Sequence, residues 1–121
     1  GSEDLAEVLA GIRAYEEHDL STAIRLLRAA PATGAANDLR RFYLASSLSL
    51  NNSHSEALDI MVDLNPATLP QPWKDEAEWI RYAALLRTHE EDAARDLLEK
   101  LAARPGPIGD LARHRRAFIS K

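Results

Sequence analysis

The sequence predicts an all-α protein, an α-α superhelix in which helices stack in pairs. Apolar residues recur at three- and four-residue steps along most of the 121 residues, which is the spacing of one face of a helix. The same pattern returns after 34 residues, so that Gly11 falls on Ala45 and Ala23 falls on Ala57. A fixed period of this length, with one helix pair per period, is typical of a helical repeat protein.

The first pair is expected over residues 3–34. Glu3 and Asp4 lie in its first turn, where acidic side chains offset the positive end of the helix dipole. Asp19 is positioned to cap the second helix, which ends before Pro31.

The second pair is expected over residues 37–66. Asn37 or Asp38 can cap its first helix, since both side chains accept hydrogen bonds from free backbone amides. Ser53 and Glu56 form a Ser-x-x-Glu capping box at the start of its second helix. The pair is expected to end at Pro66, because the residue before a proline is disfavoured in a helix.

The third pair is expected over residues 72–104, with Pro72 as the first helical residue. A second capping box is predicted from Thr88 to Glu91. Ala94 lies 37 residues after Ala57, and the three extra residues fit a proline-rich linker before the pair. We therefore interpret this pair as a divergent copy of the first two.

A last helix is expected over residues 107–119, after the Pro-Gly-Pro sequence at 105–107. Leu111, Phe118 and Ile119 are its expected apolar contacts. Each helix pair has two apolar faces, so the end of a stack needs an element that covers the last one. This helix is predicted to be that cap.

Size and charge exclude several classes of protein. One domain is expected, because 121 residues suffice for one core and not for two. A net charge of −4 argues against a general nucleic-acid binder, and the absence of cysteine excludes disulfides and thiolate zinc sites. No apolar run approaches the roughly 20 residues of a membrane helix, and no signal peptide is visible. Gly1 and Ser2 are typical of an expression scar, so we expect the domain to cover residues 3–121 of a longer, bacterial chain.

The spacing of small and large residues resembles the tetratricopeptide repeat family from about Leu5 to Ala102. The usual glycine of the turn is replaced by His18, Asn52 and His89, which leaves the loop geometry open. The matching positions are Gly11, Asp19, Ala23, Leu27 and Ala30 in the first repeat, Leu44, Ala45, Leu48, Ala57, Met61 and Leu64 in the second, and Trp79, Tyr82, Ala83, Leu86, Ala94, Leu98 and Leu101 in the third.

The resemblance implies that the first helix of each pair lines a concave groove that binds another protein. Members that bind chaperone tails use a polar clamp there, but Val8, Ile12, Tyr43 and Ala77 stand at four of its positions and only Arg81 fits. The groove positions are Leu5, Val8, Ile12, Leu39, Phe42, Ser46, Ala77, Ile80, Arg81 and Ala84.

This mainly apolar stripe has two explanations, and the sequence leaves both open. It is covered by the fold itself or by neighbouring repeats, or it is exposed and binds an apolar peptide or helix. In the second case Phe42, at the centre of the stripe, is the expected anchor.

The candidate chemical sites have simpler readings. His18, His54 and His89 recur about one repeat apart, but a helix-pair offset of roughly 10 Å is too long for a shared metal ion. Glu90, Glu91 and Asp92 lie at a predicted helix start, where the dipole favours them. We expect no catalytic residue, no cofactor and no metal.

The basic run at 113–116 is the only concentration of positive charge. It suits the last turns of a C-terminal helix, and the alternative is a docking site for an acidic partner or a membrane surface. Three arginines without aromatic residues between them are a poor signal for nucleic acid.

The sequence therefore predicts a non-catalytic scaffold or interaction module whose partner is another protein. The alternative is a self-assembly domain that forms homodimers. The stretch at 73–79, together with the later Pro-Gly-Pro, resembles repeat domains that follow a membrane anchor on bacterial extracytoplasmic proteins. The compartment stays open between the cytoplasm and an extracytoplasmic location, and any membrane contact is expected through other parts of the parent chain.

Overall fold

A computed structural model describes residues 2–64 and 69–119, and the regular elements in these ranges are all α-helices. The predicted helix end at Asn65-Pro66, Gly1 of the expected scar and the terminal Lys121 lie outside the described residues. The helices are α1 (Ser2–Glu16), α2 (Leu20–Ala29), α3 (Gly34–Leu50), α4 (His54–Asp63), α5 (Trp73–Arg87), α6 (Glu91–Ala102) and α7 (Pro107–Ile119). The all-α fold class is confirmed.

Helices that follow each other along the chain pack against each other throughout, from α1 on α2 to α6 on α7. In addition α1 contacts α3, and α3 contacts α5, so these three helices form a row. The core has three clusters along this row: one around Leu27 and Leu48, one around Phe42 and Met61, and one around Leu101 where α7 joins the third pair.

The turn inside each helix pair has the same conformation in all three pairs. His18, Asn52 and His89 adopt positive φ angles of 62°, 65° and 63°. In each case the next amide donates a hydrogen bond to the carbonyl five residues earlier: Asp19 to Ala14 at 2.9 Å, Ser53 to Leu48 at 2.8 Å and Glu90 to Leu85 at 2.9 Å. This is a Schellman turn, in which glycine is usual. The chain therefore keeps the turn without the glycine.

Small residues lie where the helices cross. Ala23, Ala57 and Ala94 are buried, as the repeat spacing predicts. Gly11 is under a stricter limit, because a Cβ at this position would lie 2.6 Å from Cγ of Leu27. The fully buried side chain of Leu27 fills the space beside Gly11, so any larger residue there would displace it.

The start of α3 differs from the sequence expectation. The helix begins at Gly34 with Thr33 as its N-cap, one turn before Asn37 and Asp38, so neither of these residues caps it. Asn37 instead accepts a hydrogen bond from Nε of Arg40 at 3.0 Å within the helix. The residues that precede Asn37 include two alanines, which favour helix and carry it one turn further back.

Of the three predicted helix caps in the turns, one is confirmed. The carboxylate of Asp19 accepts a hydrogen bond from the backbone amide of Thr22 at 3.3 Å. The capping boxes are wrong: Ser53 is an N-cap without a side-chain hydrogen bond, and the N-cap of α6 is Glu90 instead of Thr88. Thr88 is instead the C-cap of α5, because the left-handed residue His89 follows it and separates α5 from α6.

The second helix of each pair has a carbonyl near its end that accepts a hydrogen bond from an arginine of another helix, α3 for both α2 and α4, and α7 for α6. Arg40 donates to the carbonyl of Leu27 at 3.0 Å, and Arg41 donates to that of Asp63 at 3.1 Å. Arg113 of α7 donates to the carbonyl of Ala102 at 2.7 Å. These guanidinium groups satisfy carbonyls that a helix end leaves free and offset the negative end of its dipole.

Candidate functional site

Half of the predicted groove residues are buried in the core. Phe42, the expected anchor, is only 2% exposed and packs against residues of α3, α4 and α5. Ser46 donates its hydroxyl to the carbonyl of Phe42 at 2.9 Å, which leaves it facing the interior. The five buried positions are Val8, Phe42, Ser46, Ala77 and Ala84. For this part of the stripe, the first explanation holds, because the fold itself covers it.

The other five positions do not form one surface. Leu5 is 46% exposed, whereas Ile12 packs on the first core cluster and Leu39 packs on the second. Arg81 lines a shallow depression between α4, α5 and α6. Of the predicted stripe, Ile80 lines an open apolar cleft.

This cleft lies between the start of α5 and the start of α7 and has a volume of about 650 Å³. Pro72 was predicted to be the first helical residue, but it is the N-cap of α5, which begins one residue later at Trp73; Pro72 forms one edge of the opening. We call this feature the α5–α7 cleft. It is lined by Gln71, Pro72, Asp75, Glu76, Trp79, Ile80, Pro107, Ile108 and Leu111.

The apolar surface continues from this cleft along α7. A smaller hollow of about 220 Å³ shares Trp79 and Leu111 with the cleft and adds Phe118. Leu111 is 46% exposed and Phe118 is 67% exposed, so neither is covered by the rest of the described chain. Adjacent apolar side chains on an open surface mark an interaction site more often than an incidental patch.

An aromatic cluster beside the cleft joins α1, α3 and α5. The ring of Tyr43 lies edge-on to Tyr15, with 5.4 Å between the centroids, and edge-on to Phe42 at 5.1 Å. Nε1 of Trp73 donates a hydrogen bond to the hydroxyl of Tyr43 at 3.0 Å. Sequence reasoning missed this cluster, since Tyr15 and Tyr43 are not separated by the repeat period and so occupy different positions in their helices.

Glu76 connects the aromatic cluster to the cleft. It lies in the first turn of α5, is exposed and forms part of the cleft lining. Burial raises the pKa of Tyr15, and the negative charge of Glu76 and the neighbouring Tyr43 raise it further, against a hydrogen bond with Ser46 that lowers it. The aromatic cluster and the cleft thus meet at the start of α5, through Trp73 and Glu76.

The two carboxylates at the mouth of the cleft differ in their partners. Asp75 forms a salt bridge with Arg104, with 2.7 Å between the carboxylate oxygen and the guanidinium nitrogen. In the described part of the chain, Glu76 has no such basic partner. The charge of Asp75 is thus balanced within the protein, whereas the carboxylate of Glu76 is exposed to solvent.

The basic run on α7 is bound largely within the protein. Arg113 contacts the end of α6 and also pairs with Asp110. Arg116 pairs with Glu99 at 3.1 Å. The guanidinium of Arg115 lies 5.8 Å from the centre of the Phe118 ring. These contacts support the reading of the run as helix-end cations and leave little of it for an acidic partner.

Residues 2–64 and 69–119 contain no group of three or more histidine, aspartate or glutamate side chains arranged to hold a metal ion. None of the helices described in these ranges carries an apolar stretch long enough to span a membrane. The chain matches no protein-family model, no curated protein and no solved structure. The α5–α7 cleft is thus the candidate site on its own geometry, and what it offers chemically is apolar contact with one free carboxylate at the rim.

Proposed function

We propose that the chain is a non-catalytic interaction module that binds an apolar segment of another protein in the α5–α7 cleft. The proposal includes a superhelical stacking of the three pairs like that of tetratricopeptide repeats. The row formed by α1, α3 and α5, the equal turns and the buried crossing alanines support this stacking.

The observation that carries the proposal is the joined apolar surface of α5 and α7. Trp79, Ile80 and Ile108 form the walls of a cleft large enough for one or two bulky side chains, and Leu111 lies at its exposed edge. A helix or extended segment with apolar residues at regular spacing fits such an opening, in the helix-in-groove mode. Burial of these side chains would provide most of the binding energy.

Self-assembly is the second candidate function. Phe118 and Ile119, near the end of α7, are 67% and 54% exposed. A cap that ends a repeat stack is expected to turn a polar side outward, so two large apolar residues here favour contact with a second copy. The size of the particle in solution separates this function from binding of a foreign segment.

A matched pair of charge substitutions tests the proposed function. The probe is a displayed library of random 16-residue peptides, selected on the wild-type chain, and the selected peptides are then synthesised with capped ends. We expect Leu111→Glu to weaken their binding at least tenfold, because it places a charge at the edge of an apolar cleft. Leu9→Glu, on the equally exposed Leu9 of α1, is expected to leave binding unchanged.

Fluorescence anisotropy of labelled peptides gives the dissociation constants. Circular dichroism melts show whether both variants remain folded, which their exposure leads us to expect. If the selection yields no peptide whose binding depends on Leu111, the cleft is not the binding site and the proposed function is wrong. Equal losses in both variants would have the same meaning.

A further inference from the structure

We propose that the segment bound in the α5–α7 cleft carries a lysine or arginine beside its apolar residue, and that Glu76 selects this cation. The inference rests on the proposed function and names the chemistry of its partner. Its basis is the position of one unpaired carboxylate at the rim of an otherwise apolar opening.

Any segment that fills the cleft also covers its mouth, where Asp75 and Glu76 lie. Covering Asp75 costs little free energy, because its charge is already paired with Arg104 within the protein. Glu76 has no basic partner among the described residues, so a purely apolar ligand would remove water from a free carboxylate and offer nothing in return. An ionised group that loses water without gaining a partner weakens binding. A cation on the ligand removes this cost.

The aromatic cluster adds a second preference for positive charge. Tyr15 and Tyr43 are partly exposed and in contact with each other, and Tyr43 is hydrogen-bonded to Trp73, which lies three residues before Glu76 on α5. Aromatic rings attract cations over their faces within about 6 Å, and arginine also stacks on them. A lysine or arginine that reaches Glu76 from the cleft therefore approaches tyrosine rings as well as a carboxylate. An acidic segment would meet repulsion from Glu76 at the same place.

A second copy of the chain is the less suitable occupant. On α7 the exposed Phe118 is in contact with a cation, but that cation is Arg115 of the same helix, whose guanidinium lies over the ring. Arg113 and Arg116 of the same helix are engaged by the end of α6 and by Glu99. The cations of α7 are thus bound within their own protomer, which favours a basic segment of a different protein.

The test compares two glutamates on the same helix. Peptides selected from the random 16-residue library are titrated into the wild-type chain, Glu76→Gln and Glu78→Gln. Glu78 is the control, because residues two positions apart lie on different sides of a helix. We expect the selected peptides to carry a lysine or arginine. We also expect Glu76→Gln to weaken their binding about fivefold, the upper end for an exposed ion pair, while Glu78→Gln leaves it unchanged.

A double substitution shows whether the two charges act on each other. When the basic residue of the peptide is replaced by norleucine, Glu76→Gln is expected to have no further effect. Glu76→Lys combined with a peptide that carries glutamate in place of its cation is expected to restore part of the binding lost by either change alone.

Peptides that depend on Leu111 but lack a basic residue, or that bind Glu76→Gln as well as the wild type, would overturn this inference and leave the proposed function standing. A selection without any Leu111-dependent peptide would overturn both. Sedimentation of the wild-type chain completes the test: a dimer that Leu111→Glu dissociates would mean that the cleft binds a second copy.

Discussion

Val8, Phe42 and Ile80 occupy the same position in the first helices of the three pairs, but their surroundings differ. Val8 is 1% exposed and Phe42 is 2% exposed, whereas Ile80 remains partly open and lines the α5–α7 cleft. In the first two pairs the next helix of the row contacts the one before it, α3 on α1 and α5 on α3. After α5 comes α7, which packs mainly against α6. A closed stripe therefore becomes a cleft at the place where the row ends.

One apolar pattern thus has two different uses in this chain. Within the row, an apolar residue at this position holds two helices together. At the end of the row, the same residue type remains without a covering helix and forms a candidate binding site. The difference comes from the order of the helices, since all three residues are large and aliphatic or aromatic.

The closed part of the stripe should respond most strongly to truncation of a side chain. Phe42→Ala should lower the free energy of unfolding by about 3–5 kcal/mol, because it removes a buried ring and leaves a cavity. Ile80→Ala should cost less than half as much, since Ile80 is partly exposed. Urea denaturation followed by circular dichroism measures both. Phe42→Leu provides a milder variant if Phe42→Ala does not fold.

Equal losses for Phe42→Ala and Ile80→Ala would contradict the distinction between the closed and open parts. The burial of Phe42 also rules out the role expected from its place in the sequence, that of an anchor for a bound partner. A ring that is 2% exposed contributes to partner binding only through the stability of the fold.

Much of the fold could be predicted from the sequence because helix pairs leave a periodic signal. The small residues Ala23, Ala57 and Ala94 are buried as expected, and helix breakers separate the helices near the predicted places. Capping was harder to predict. Ser53 has the right residue type for a capping box, yet its hydroxyl makes no cap hydrogen bond, whereas the longer side chain of Asp19 does make one after the same type of turn.

The candidate site could be predicted only in part. Periodicity marks Ile80 as apolar, but it carries no information on whether another helix covers that residue. Leu111 was expected to be a core contact of the capping helix, yet it is 46% exposed at the edge of the cleft. Glu76 had no signal at all, since the role proposed for it depends on the salt bridge of Asp75 with Arg104, 29 residues further along the chain.

Substitutions at the crossing alanines test whether the third pair, which lines the cleft, is packed as tightly as the second. Ala57→Leu in the second pair and Ala94→Leu in the third should each lower the free energy of unfolding by about 1–3 kcal/mol, because added methylenes strain a close helix crossing. Ser55→Leu, on an exposed residue of the first turn of α4, should stay within about 0.5 kcal/mol of the wild type. Thermal melts at equal protein concentration measure all three. A well-tolerated Ala94→Leu would mean that the third pair is more loosely packed than the second.

The turns inside the helix pairs are alike in all three pairs, and substitutions there should change stability least. His18 in the first pair and His89 in the third have φ angles of 62° and 63°, and both side chains are exposed. A left-handed residue with a Cβ costs roughly 1–2 kcal/mol, of which glycine regains only a part because its unfolded state has more freedom. We therefore expect His18→Gly and His89→Gly each to raise the free energy of unfolding by about 0.5–1 kcal/mol, seen as a melting temperature a few degrees higher. Asn52→Gly should gain less, since asparagine tolerates this conformation better. Unequal gains from the two histidines would show that the turn of the third pair is strained differently from the turn of the first pair.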